Sequence, residues 1–123
     1  TMEQDYLLRQ IQMLIQGIAR IFFRREARSY AFPEARQDYT LADQWYDACL
    51  ERLRAGDING AENRLFAGLI PGDSRRLQAA LDFYDRLSAL GDEELGSAGF
   101  SRQEILRGLE DLAALYGVDL AEK

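Results

Sequence analysis

The sequence predicts an all-α protein, and three observations lead there. Apolar residues recur three and four apart through every hydrophobic stretch, the spacing that lines one side of a 3.6-residue helix. No stretch of any length alternates apolar and polar residues with the period of two that a half-buried strand needs. Helix starts and stops punctuate the periodic stretches: Thr40 with Asp43, Gly56-Asp57, Pro71-Gly72, and Ser101 with Glu104. Helices are expected near residues 5–25, 41–54, 58–69, 74–90 and 102–116. The 123 residues suit one domain with a real core and no metal or disulfide staple.

The first helix, 5–25, is the most apolar element. Turning it about 100° per residue gathers Leu8, Ile11, Ile15, Ile18 and Phe22 on one arc, with Arg9, Gln12, Gln16 and Arg20 opposite. Polar residues recur too often for a membrane span, and Glu3 and Asp5 at its start argue against a secretory signal. So wide an arc must be covered. A connector over 26–40 lets it fold back onto the chain at modest closure cost, which is the favoured arrangement. Homodimerisation through this face comes next, since Leu8, Ile15 and Phe22 keep a seven-residue spacing. A membrane-surface contact comes last, because the acidic body would sit behind it.

Arg24, Arg25 and Arg28 follow, where positive charge meets the negative pole of the helix; a phosphate or headgroup contact is the functional alternative. In the connector, Pro33 stops any continuation and opens at most one turn through Glu34 and Ala35, while Tyr30, Phe32 and Tyr39 pin the segment to the core.

The stretch 41–69 is read as the organising hairpin. Leu41, Trp45, Ala48, Cys49, Leu50 and Leu53 form one stripe; Gly56 closes that helix and Asp57 caps the next, which carries Ile58, Ala61, Leu65 and Phe66. Trp45-Tyr46, Gly56-Asp57, Ala61 and Leu65 resemble a tetratricopeptide (TPR) repeat in residue type and spacing. Cys49 stands where that family has a close-contact glycine, and Arg52 where it has a large aromatic. The resemblance implies antiparallel helices approaching closest at Ala61.

Beyond Pro71, Asp73 or Ser74 caps a helix with Leu77, Ala80, Leu81, Tyr84 and Leu87 inward. Gly91-Asp92 recurs about one TPR period after Gly56-Asp57, which marks 74–116 as a second, degenerate hairpin. Asp92 to Leu95 is expected to make at most a turn, Gly96 to Gly99 a loop, and residues 118–123 a loose tail. The opening Met2-Glu3-Gln4-Asp5-Tyr6-Leu7-Leu8-Arg9, the helix ending in Phe22-Phe23-Arg24, and Gly56-Asp57-Ile58-Asn59-Gly60-Ala61-Glu62-Asn63 also resemble a family of small bacterial proteins known only as a domain of unknown function. That resemblance implies a TPR-like helical fold and supplies no activity or site residue.

Composition removes whole reaction classes. There is no histidine, the one lysine is Lys123, and the one cysteine, Cys49, lies in an apolar stripe. Ser–His and Cys–His catalysis, histidine metal sites, a phosphate-loop lysine and a Schiff-base lysine all lack their residue. No intrachain disulfide can form, which permits a reducing cytoplasm, the expected location. The net charge of −6 divides into +2 over residues 1–36 and −8 over 37–123, so the main body repels nucleic acid.

Two function classes remain. The favoured one is a non-catalytic protein- or peptide-binding module of TPR-like type, with no cofactor. Its binding surface would be Asp43, Tyr46, Leu50, Leu53 and Arg54 on the first hairpin helix, fitted to a basic or apolar helical peptide. The rival is a small carboxylate-based metal-dependent enzyme using Asp43, Asp47 and Asp85, because Asp43, Asp47 and Glu51 stack four apart on one helix face. An ordinary solvated face explains that stack as well.

Overall fold

The computed structural model describes residues 2–24 and 30–120. Among them are six α-helices, one 3₁₀ turn and no strand. The helices are α1 (Met2–Phe23), α2 (Leu41–Arg54), α3 (Ile58–Ala67), α4 (Ser74–Ser88), α5 (Asp92–Ser97) and α6 (Arg102–Leu115). No helix among the described residues is long and apolar enough to cross a membrane.

α1 starts three residues before the expected boundary and packs along α6 and α4. Ile11, Ile15 and Ile18 are fully buried there, while Leu8 and Phe22 are half-buried. The apolar arc is thus covered within the chain, by the second half of the molecule rather than by the 41–69 hairpin. Arg24 closes the helix in the left-handed conformation, at φ 61°. Arg25 and Arg28 lie outside the described residues.

The connector's turn comes at Arg36–Asp38, two residues later than expected. Its aromatics do pack inward: Tyr30 meets the Tyr46 ring edge-on at 5.0 Å, and Phe32 stacks between Tyr39 at 5.3 Å and Tyr46 at 5.8 Å.

α2 and α3 form an antiparallel hairpin. Thr40 and Asp43 make a full capping box, and the Asp57 carboxylate accepts from the Gly60 N–H at 2.9 Å. Ala61 and Leu65 have no exposed surface. Trp45 stays half-exposed and reaches across the pair: its indole N–H donates to the Arg64 carbonyl at 3.0 Å, and its ring lies against Gly68, where an added Cβ would sit 2.1 Å from Nε1. Ala61→Leu should overpack this interface and cost about 1–3 kcal/mol, read as a lowered melting temperature; an unchanged one would contradict the pairing.

The centre of the molecule is α4, not the hairpin. It packs against α1, α2 and α6, and every residue from Ala79 to Tyr84 is buried. Ala79 and Ala80 supply the small side chains that let neighbours close in on several sides. After it, α5 is a short helix where only a turn was expected. Three acids, Asp92, Glu93 and Glu94, favour its positive N-terminal pole, and Leu95 plugs into the core. Gly99, at φ 70°, then turns the chain so that the Phe100 N–H bonds the Leu95 carbonyl at 2.9 Å. The expected loose tail also needs correction at its start. Val118 is buried and its N–H bonds the Ala113 carbonyl at 2.8 Å.

Candidate functional site

The residues expected to form a peptide-binding surface do not form one. Asp43 is 1% exposed, Tyr46 and Leu50 are buried, Leu53 is half-buried, and only Arg54 stands in solvent, paired with Glu51 at 2.6 Å. Two elements cover that face of α2: the connector, whose Tyr30 and Phe32 pack on Tyr46, and α4, which supplies Arg75 to Asp43 and Asp82 to Tyr46.

Asp43 is a structural anchor. It accepts from the Tyr30 hydroxyl, from Arg75 at 2.9 Å and from the Thr40 backbone N–H at 2.9 Å. Desolvation pushes its pKa up, but these hydrogen bonds outweigh it and hold the carboxyl below its ordinary value. The Arg75 guanidinium also lies over the Tyr30 ring, 3.8 Å from its centroid. A second buried anchor follows the same logic: Tyr46 donates to Asp82 at 2.6 Å and Arg86 donates to the same oxygen at 2.8 Å.

The stacked carboxylates of α2 turn out to be matched one by one with different arginines. Asp43 takes Arg75, Asp47 takes Arg36 at 3.2 Å, and Glu51 takes Arg54. Asp85 is elsewhere, accepting from Gln12. Among the described residues no three carboxylate or thiol groups gather as a metal site. Cys49 is fully buried, and desolvation pushes its thiol up to about 11, away from nucleophilic use.

A different place draws charge together. α3 and α6 flank a cleft of about 320 Å³, lined by Glu62, Asn63 and Phe66 from α3 and by Glu104, Arg107, Gly108 and Asp111 from α6. α4 contributes Tyr84, whose hydroxyl donates to Glu62 at 2.6 Å. Gly108 makes the approach possible: an added Cβ would lie 2.1 Å from the Tyr84 hydroxyl and 2.8 Å from a Glu62 carboxylate oxygen. A glycine inside a helix costs about 1 kcal/mol against alanine, so its place here reflects close contact rather than helix stability.

Three carboxylates, Glu62 from α3 and Glu104 and Asp111 from α6, line this cleft with one guanidinium, that of Arg107. Desolvation by burial pushes the Glu62 carboxyl above its ordinary value, the charges of Glu104 and Asp111 add to the rise, and the Tyr84 hydrogen bond opposes it. A carboxyl whose folded pKa is raised contributes stability at low pH and loses it as pH rises through the folded value. Ionised Glu62 therefore destabilises the fold at neutral pH. Glu62→Gln, which keeps an acceptor for Tyr84, should melt a few degrees higher at pH 7, and the gain should vanish below the ordinary carboxyl value of 4.5. A lower melting temperature at pH 7 would reverse this assignment.

Sequence reasoning passed over this site. Glu62 stands in the stretch 56–63 with nothing local to mark it, and the signal the sequence carries is Gly108, an isolated glycine between the core positions Ile105 and Leu109. Its partners come from three helices far apart in sequence, which periodicity cannot bring together.

A family model described as a family of unknown function, DUF6483, matches residues 1–117. No curated protein and no solved structure matches the chain.

Proposed function

The chain belongs to the DUF6483 family of unknown function, and from that premise we propose that it is a non-catalytic interaction module whose α3–α6 cleft receives a basic segment of another protein. The observation that carries this reading is Glu62, a half-buried carboxyl that accepts from the Tyr84 hydroxyl and lines the cleft beside two further acids, Glu104 and Asp111. Groups whose ionisation is made costly in a cleft are candidates for functional use. A guanidinium or ammonium entering the cleft would relieve that cost, and Phe66 offers an apolar wall for the stem of such a side chain.

The α2–α3 hairpin supports a TPR-like scaffold for the module, because Ala61 is buried against α2 and Trp45 ties α2 to the end of α3. Recognition then falls on the outer side of the hairpin, against α6.

The test is calorimetric titration with a tetra-arginine peptide. Binding that weakens with salt and falls at least tenfold in the Glu62→Gln, Glu104→Gln double variant is expected. Equal affinity in that variant would overturn the reading. A divalent-metal titration followed by melting temperature addresses the enzyme class, since a specific metal site must stabilise the fold by mass action.

A further inference from the structure

α1 carries a second stripe, on the side away from the core. Met2, Tyr6, Arg9, Met13, Gln16 and Arg20 follow one another at steps of four, three, four, three and four, the spacing of a two-helix seam. Met2 is 86% exposed, Tyr6 55% and Met13 65%, so half of the large exposed apolar side chains of the described residues lie on this one line. Neither Arg9 nor Arg20 forms an ion pair with another described residue, nor do Glu3 and Asp5 at the helix start.

The charges run along the helix with a direction. Glu3 and Asp5 occupy the first turn and Arg20 the last. Two copies laid parallel would set acid on acid and arginine on arginine. Laid antiparallel about a two-fold axis, each acidic end faces the partner's basic end, which is the self-complementarity an isologous interface requires. We propose that the outer stripe of α1 is the interface of an antiparallel homodimer. In that register Met2 meets the partner's Arg20, Tyr6 meets the partner's Gln16, and Arg9 lays its alkyl stem on the partner's Met13. α1, about 33 Å long at 1.5 Å per residue, offers a narrow contact, so the dimer is a concentration-dependent one.

Sedimentation equilibrium over a concentration series tests the association. The mass should rise toward twice 14.0 kDa in the wild type and stay at 14.0 kDa in Met13→Arg, which sets like charge against the partner's Arg9, with an unchanged melting temperature because that side chain is exposed. A monomer at every concentration, or a dimer that survives Met13→Arg, would overturn the proposal. Orientation is read by cross-linking, since the native Cys49 is buried and contributes no background. Tyr6→Cys protein mixed with Gln16→Cys protein should oxidise to the mixed dimer far more readily than either alone. Preferential cross-linking of each variant to itself would mean a parallel pair and would contradict the antiparallel arrangement.

Discussion

Ile15→Asp should unfold the domain. Ile15 is 2% exposed, inside the contact that α1 makes with α4 and α6 and among the side chains of the main core. A carboxylate placed there has no described partner, and burying an unpaired charge costs several kcal/mol, a large share of the 5–15 kcal/mol that holds an ordinary domain together. The expected readout is loss of the cooperative thermal transition, with aggregation or exposed apolar surface. A variant of unchanged mass and melting temperature that has merely lost affinity for anionic vesicles would mean that α1 serves a membrane surface instead.

Asp43→Ala is the second large effect, expected to cost about 4 kcal/mol. Two losses combine: the capping box of α2, worth about 1 kcal/mol, and the acceptor that Tyr30 and Arg75 share. Breaking a buried pair costs about 3–5 kcal/mol, and the lower end applies because the Arg75 side chain is 38% exposed and can rehydrate. Asp47→Ala is the internal control. Its partner Arg36 is 75% exposed, so its removal should change stability by less than about 0.5 kcal/mol. The sign with pH follows from the lowered pKa of Asp43. Its contribution is present above the ordinary value of 3.8 and is lost as pH falls through the folded value, so Asp43→Asn should flatten the acid limb of the stability profile. Equal destabilisation by Asp43→Ala and Asp47→Ala would remove the anchor.

Local signals in the sequence located most of the helices, because capping and periodicity are written in neighbouring residues. Thr40 and Asp43, Asp57, and Ser101 and Glu104 all cap as their spacing implies. α5 escaped because six residues carry too little period to be seen, and its acidic first turn was the only mark. The central place of α4 has no local mark: its apolar stripe beside Arg75, Gln78 and Asp85 has the pattern of any amphipathic helix, and Asp82 is core only because Tyr46 and Arg86, from outside its own turn and within it, satisfy the carboxylate. Arg102 is a similar case, buried with its guanidinium on Asp92 and on the Ser88 and Leu90 carbonyls, where it ties the end of α4 to α6.

The candidate site was the least legible part. Asp43 and Tyr46 carry the right residue types for a binding face, and the connector and α4, both outside that helix, close over them and make them core. Glu62, Tyr84 and Gly108 acquire meaning when three helices meet, and nothing short-range joins them.

The most direct test of the proposed role is an NMR titration of the Glu62 side-chain carboxyl, in the free protein and with tetra-arginine peptide. The account predicts a midpoint above 4.5 in the free protein that falls when the peptide fills the cleft. A midpoint at or below 4.5, unmoved by the peptide, would contradict it.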